Sequence, residues 1–262
     1  MIASRARERA ALREGGKRLA QILGKIIAEV RPGVSTLELD RLAEKLIVSA
    51  GGEPAFKGYR THAGERPFPA SICTSRNDEV VHAIPRADMI LNGGDILGLD
   101  IGMCWPLKIQ NPGVGLITDM AVTVAVGKIS PQAEKLLHVT RQALAIGIKA
   151  LRSGIRMGDL GHAIQKHIEE QGFGVIRELV GHGVGRLLHE APNVPNYGTP
   201  GQGLAIGEGM ILAIEPMATM GRPEVRLDRD GWTWRTKDGS LAAHFEHTVI
   251  VTKTGAEILT EV

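Results

Sequence analysis

The chain has 262 residues, near the upper size of a single hydrophobic core, so one large domain or two small ones are possible. An apolar content of 43% and a charged content of 23% are ordinary for a globular protein. The formal charge of +2, with acids and bases interspersed, gives no case for nucleic-acid binding, which usually gathers Lys and Arg on one face.

Cys73 and Cys104 form no CxxC pair, which suits a reducing compartment and supplies no disulfide framework. The segment from Met1 to Arg18 mixes Arg5, Arg7 and Arg9 with Glu8 and Glu14 and contains no apolar h-region, which argues against a secretory leader. No apolar run approaches the roughly 18 residues needed to span a bilayer. A cytoplasmic protein with no membrane partner is expected.

Residues 4–30 read as a helix, with Leu12, Leu19, Leu23, Ile26, Ile27 and Val30 recurring at helical spacing before Arg31-Pro32-Gly33. Thr36 is the expected N-cap of a second helix running to about Ala50, ended by Gly51-Gly52. About 121 residues later the arrangement returns. Ser130-Pro131 opens a helix carrying Leu137, Leu144, Ile148 and Leu151, and a second follows with Leu160, Ile164 and Ile168 before Gly172. Arg31 then matches Arg152, Gly33 matches Gly154, Leu39 matches Leu160 and Gly51 matches Gly172. This register reads as an internal duplication, with pseudo-symmetric halves at about 1–127 and 128–262 of one domain; chance likeness of two amphipathic helix pairs is the competing account.

Strand-like runs follow each helix pair: Ser71–Thr74, Asp95–Ile101, Ala121–Val126, Met210–Ile214 and Phe245–Thr252. The order of elements predicts an α+β fold, with helices covering one face of a largely antiparallel sheet.

Within these runs lie four acids. Asp100 ends an apolar strand, Asp119 starts the next, Glu215 follows Met210–Ile214, and Glu246 sits in His244-Phe-Glu-His-Thr. Each alone reads as a cap, turn or ion-pair residue. Together they demand compensation, because burying an unpaired charge is very costly. Gly181-His182-Gly183-Val184-Gly185 adds an imidazole framed by glycines, read either as backbone folded closely over something small such as a metal ion or as a glycine-rich turn carrying a surface histidine. Carboxylates with one imidazole suit Mn, Fe, Co or Zn. Four carboxylates exceed the needs of one catalytic ion and suit two bridged ions, which together activate water for hydrolysis. HExxH, GxSxG and P-loop motifs are absent, and His189-Glu190-Ala191-Pro192 does not open a helix as a dinucleotide loop would.

With these residues assembled, the chain resembles type I methionine aminopeptidases of the pita-bread fold over nearly its whole length. The landmarks are Cys73-Thr-Ser-Arg-Asn77 leading to Val80-Val-His82-Ala-Ile-Pro85; Gly94-Asp-Ile to Asp100; Thr118-Asp119; Gly181 to Gly185; His189-Glu-Ala-Pro192; Ile214-Glu-Pro-Met217; and Phe245-Glu-His-Thr248. The resemblance implies that Asp119 and Glu246 bridge two divalent ions, that Asp100 completes one, and that His182 with Glu215 completes the other. It implies further that Glu215 takes the proton of the attacking water. His82 and His189 would contact the substrate, with His189 donating to the developing oxyanion. Cys73 and Trp232 would line a methionine pocket, with Phe68 and Tyr59 in the adjoining loop, and Trp234 is assigned to sheet packing. The implied substrates are the N-termini of nascent polypeptides with a small second residue, met near the ribosome by a monomer.

Three departures from the family pattern stand out. Cys104–Leu116 form an extra loop before Asp119, residues 60–66 form another beside the pocket, and Ala83 stands where glycine is usual. Leu188 also occupies a position where phenylalanine is often found. An X-Pro peptidase of the same fold and a non-catalytic binding protein are the alternatives; the first usually carries a sizeable N-terminal domain, and the second typically loses ligands.

Overall fold

The computed structural model describes residues 1–3, 6–106 and 115–261. Helix α1 (Ala6–Ile27) buries Leu12, Leu19, Leu23 and Ile26, and α2 (Thr36–Ser49) buries Leu39 and Ile47, as the periodicity predicts. The N-cap of α2 is Ser35, one residue before the expected Thr36. Ser35 Oγ accepts from the Glu38 N–H at 3.3 Å, and the Glu38 carboxylate accepts from the Ser35 N–H at 2.8 Å, a reciprocal capping box. The Thr36 hydroxyl is engaged elsewhere, bonded to both the carbonyl and the N–H of Arg86. Helix α3 (Pro131–Ala150) opens on Ser130 with Pro131 at its first position, and α4 (Met157–Glu170) stops before Gly172, whose φ is +84°.

Between the helix pairs come β1 (Glu53–Pro54), β2 (Cys73–Arg76), β3 (Glu79–Val81), β4 (Ile96–Trp105) and β5 (Leu116–Ala125). After α4 come β6 (Gly174–Val175), β7 (Gly181–Gly183), β8 (Glu190–Val194), β9 (Ile211–Ile214) and β10 (Met217–Thr219). The chain finishes with β11 (Val225–Leu227), β12 (Trp234–Thr236), β13 (Ala242–His244), β14 (Glu246–Val251) and β15 (Ala256–Ile258). A nine-stranded sheet runs β1-β4-β5-β14-β9-β7-β8, with β2 also on β4 and β15 also on β14. Two three-stranded sheets, β13-β10-β6 and β11-β12-β3, flank it. Every pairing among these strands is antiparallel.

The two-residue alternation of a strand decides what faces where. On β4, Leu97, Leu99, Ile101 and Met103 pack with α1 and α2, leaving Gly98, Asp100 and Gly102 on the opposite face. Leu212 and Ile214 of β9, with Val249 and Val251 of β14, pack with α3 and α4 in the same way. Glu246 and Thr248 therefore face away from those helices. The sheet thus keeps its apolar side for the helices and collects its acids on the other.

The hairpin of β4 and β5 corrects one expectation. Cys104, Trp105 and Leu116 belong to its strands, not to an extra loop, and the pairing runs unbroken from Trp105↔Leu116 through Gly102↔Asp119 to Ile96↔Ala125. Leu116 and Ile117 are buried, so the sheet gains by extending to them. Residues 107–114 of the expected loop lie outside the described residues. Leu116-Ile-Thr lead directly into Asp119, which lies in register with Gly102.

Helical glycines show where packing is tightest. On α1, a Cβ at Gly16 would overlap the Leu259 carbonyl, whereas one at Gly24 would meet nothing within 4 Å. Gly16→Ala is expected to cost about 1–3 kcal/mol through overpacking. Gly24→Ala should gain about 0.5–1 kcal/mol from helix propensity. Opposite shifts of the denaturant midpoint would verify the contrast; equal shifts of one sign would refute it.

Candidate active site

The acids and imidazoles singled out in the sequence converge on one cavity of about 240 Å³. Asp100 of β4, Asp119 of β5, His182 of β7, Glu215 between β9 and β10, and Glu246 of β14 all line it and are all buried. Adjacent strands bring the acids together: Ala121 is the cross-strand partner of both Asp100 and Glu246. A side chain at Gly102 would crowd Phe56, Ala55 and the Asp119 carboxylate, so this glycine keeps space beside Asp119.

Donor atoms of Asp119, His182 and Glu246 all lie within 4.8 Å of one another. His182 Nε2 is 3.5 Å from Glu215 Oε1. Each of the four acids has a buried oxygen with no hydrogen-bond partner: Asp100 Oδ1, Asp119 Oδ1, Glu215 Oε1 and Glu246 Oε1. Buried polar atoms are almost always satisfied, so four orphans in one cluster of acids describe a cradle for cations. Hard carboxylate oxygens with imidazole nitrogen are a donor set for a first-row divalent metal.

The electrostatics agree. Burial pushes the carboxyl of Asp119 up to about 7, and burial followed by mutual repulsion raises Asp100, Glu215 and Glu246 well above the ordinary carboxylate range. Burial drives His182 down to about 3, and the nearby His189 adds to this. The pocket holds its imidazoles neutral.

The glycines around His182 require a corrected reading. A Cβ at Gly181 would overlap the Ala213 carbonyl, and one at Gly183 the Ala191 carbonyl. These glycines admit the neighbouring strands, not an ion. His182 is held by its own strand, with Nδ1 3.0 Å from the Gly183 carbonyl, which leaves Nε2 toward the acids.

His82 and His189 also line the cavity. His82 follows β3 with φ +58°, the left-handed region, and burial lowers its imidazole to about 4. Unlike His82, Ala83 has no positive φ, so the alanine where glycine is usual meets no backbone penalty. His189 precedes β8, its ring centroid 4.3 Å from that of His182, and its Nδ1 lies 2.5 Å from the Tyr59 hydroxyl. Burial lowers His189 to about 4 as well.

Cys73, Phe68, Trp232 and Leu188 form the apolar wall. Phe68 meets Trp232 edge to face at 5.3 Å and Phe56 at 6.4 Å. The indole N–H of Trp232 donates to the Arg66 carbonyl at 3.2 Å. Residues 60–66, read as an insertion beside the pocket, do reach it, since Thr61 and Glu65 line the cavity. Trp234 departs from its assignment: it lies in β12 and packs against a neighbouring apolar cluster, but it lines the cavity too.

Several lining residues were not anticipated, among them Phe56, Leu227 and Gly231. The most consequential omission is His244, buried at the end of β13 with Nε2 3.6 Å from Glu215 Oε2 and 3.9 Å from Glu246 Oε2. No local pattern announced it, because His244 closes β13 whereas Glu246 opens β14 in another sheet.

Comparison with known proteins agrees with this architecture. Residues 10–253 match the model of metallopeptidase family M24. The chain is 45% identical over 249 residues to methionine aminopeptidase of Clostridium acetobutylicum, covering 95% of this chain and 94% of that one. It is 43% identical to methionine aminopeptidase 1 of Bacillus subtilis over the full length of both. The crystal structure of methionine aminopeptidase from Thermotoga maritima superposes with a TM-score of 0.92 at 41% identity, again covering all of both chains. With its pita-bread arrangement of helices and antiparallel sheet, the chain belongs to metallopeptidase family M24.

Proposed function

We propose that this protein is a methionyl aminopeptidase that removes the initiator methionine from nascent chains with a small second residue. The observation that carries the reading is the cluster of four buried acids with orphaned oxygens, open to a pocket walled by Cys73, Phe68 and Trp232. Relatives at 43–45% identity carry that name. The donor set suits two divalent ions, which Asp100, Asp119, His182, Glu215 and Glu246 would hold. Such ions supply Lewis-acid polarisation and an activated water at neutral pH.

The remaining steps fall to the side chains. Glu215, with one oxygen free of hydrogen bonds, accepts the proton of the attacking water. His189 donates to the carbonyl oxygen as it gains charge. Tyr59, whose phenol is held protonated by burial and by the charge of Glu65, is placed to donate to Nδ1 of His189, the tautomer that carries the imidazole proton on Nε2. His82, which lines the same cavity, contacts the substrate. A methionine thioether is well received by the aromatic edges of Phe68 and Trp232 and the sulfur of Cys73. The enzyme acts as a cytoplasmic monomer on polypeptides emerging from the ribosome; among the described residues no helix is long and apolar enough to cross a membrane.

Chelator-stripped protein resupplied with Co or Mn should hydrolyse Met-Gly-Met and leave Ala-Pro peptides intact. Activity that survives chelation, or a preference for X-Pro peptides, would overturn the reading. Glu215→Gln is expected to lower kcat by about 10²-fold or more, the scale of a lost general base. Metal binding should also respond to pH in a definite direction. The acids must lose their protons to bind a cation, and burial shifts that loss upward, to about 7 for Asp119, whereas neutral His182 has none to lose. Co(II) affinity, followed by calorimetry, should therefore fall as pH drops from 7 to 5, with protons released on binding at pH 7. A flat profile without proton release would contradict the assignment.

A further inference from the structure

His244 is not needed by any role assigned above, yet its Nε2 lies within 4 Å of two of the acids. It is 3% exposed, and its Nε2 has no hydrogen-bond partner. Leaving a buried donor unmade costs about 1–3 kcal/mol, so a polar atom in this position calls for a partner. The oxygens available are Glu215 Oε2 at 3.6 Å and Glu246 Oε2 at 3.9 Å. Both distances exceed a hydrogen bond, but the shorter needs a shift of only about 0.5 Å to become one.

The backbone of His244 is fixed. Its N–H donates to Thr123 Oγ1 at 2.9 Å, its carbonyl accepts from the same hydroxyl at 2.9 Å, and its Cα pairs with Met217. The flexible partner is therefore the Glu215 side chain, which lies between two imidazoles, with His182 Nε2 at 3.5 Å from Oε1 and His244 Nε2 at 3.6 Å from Oε2. His244 therefore meets the Glu215 oxygen that is not the one nearest His182.

We infer that His244 is a positioning residue of the metal centre, whose Nε2–H holds Oε2 of Glu215 so that Oε1 is presented on the side of His182. A carboxylate oxygen has two lone pairs, so Oε2 can accept from His244 and still take a proton. The inference rests on the proposed two-metal site and concerns how one of its carboxylates is oriented. Partners that hold a ligating carboxylate from behind are worth about 10–100-fold in metal affinity.

The test is Co(II) binding to the full-length apoprotein, read by calorimetry and by the visible absorption of the bound ion. Thermal melting of each metal-free variant checks that it folds. His244→Leu should weaken binding by about 10–100-fold and alter the Co(II) spectrum, while His244→Gln, which keeps a donor, should restore most of both. In a Glu215→Gln background, His244→Leu should add no further loss, because the two changes remove the same interaction. Unchanged affinity and spectrum in His244→Leu would overturn the inference while leaving the metal site standing. Equal loss of the spectrum in Leu and Gln variants would also overturn it, making His244 a direct ligand. Failure of the wild-type protein to bind Co(II) would instead sink the metal site itself.

Discussion

Four carboxylates buried within one cluster dominate the energetics of this molecule. Each would be stable in water, and none is stable alone in a low-dielectric interior. The sheet nonetheless brings them together, and their orphaned oxygens and raised pKa values record the cost. A fold that maintains this arrangement is built around charge it does not itself neutralise. The rest of the structure can be understood as what holds the acids in place: helices packed on the far face of the sheet, and backbone hydrogen bonds that fix each strand in register.

The join between β5 and β14 shows how this is done. The ladder there is short, with Glu246 opposite Ala121 and His247 opposite Met120. Threonine hydroxyls take over at both ends. Thr248 Oγ1 accepts from the Asp119 N–H at 2.8 Å and donates to its carbonyl at 2.7 Å, and Thr123 serves His244 in the same manner. Side chains thereby replace main-chain bonds where the strands diverge, which leaves Asp119 and Glu246 adjacent without a continuous ladder between them. Asp119 depends for its position on a strand from the other end of the sequence.

Much of this was legible from the sequence because the relevant forces are local or periodic. Helical spacing located α1 to α4, and apolar strands bearing single acids marked Asp100, Asp119 and Glu246. What escaped were features set by tertiary competition. Thr36 and Ser35 are both capping residues, and only the engagement of Thr36 with Arg86 decides between them. The glycines around His182 look like room for an ion, but the strands pressing on Gly181 and Gly183 come from distant sequence. Trp234 and His244 belong to short strands of the flanking sheets, whose exposure toward the cavity no local pattern specifies.

The loop that closes the pocket is tied down largely through its main chain. Gly58 N–H donates to the Phe68 carbonyl, Phe68 N–H donates to that of Tyr59, and Trp232 reaches the carbonyl of Arg66. Such anchors are indifferent to side-chain identity, but inside the loop the Glu65 carboxylate adds its own, accepting from the N–H and the hydroxyl of Thr61. Thr61 and Glu65 both border the cavity. The rim is therefore coupled to the floor, since the charge of Glu65 also bears on the Tyr59 phenol that meets His189.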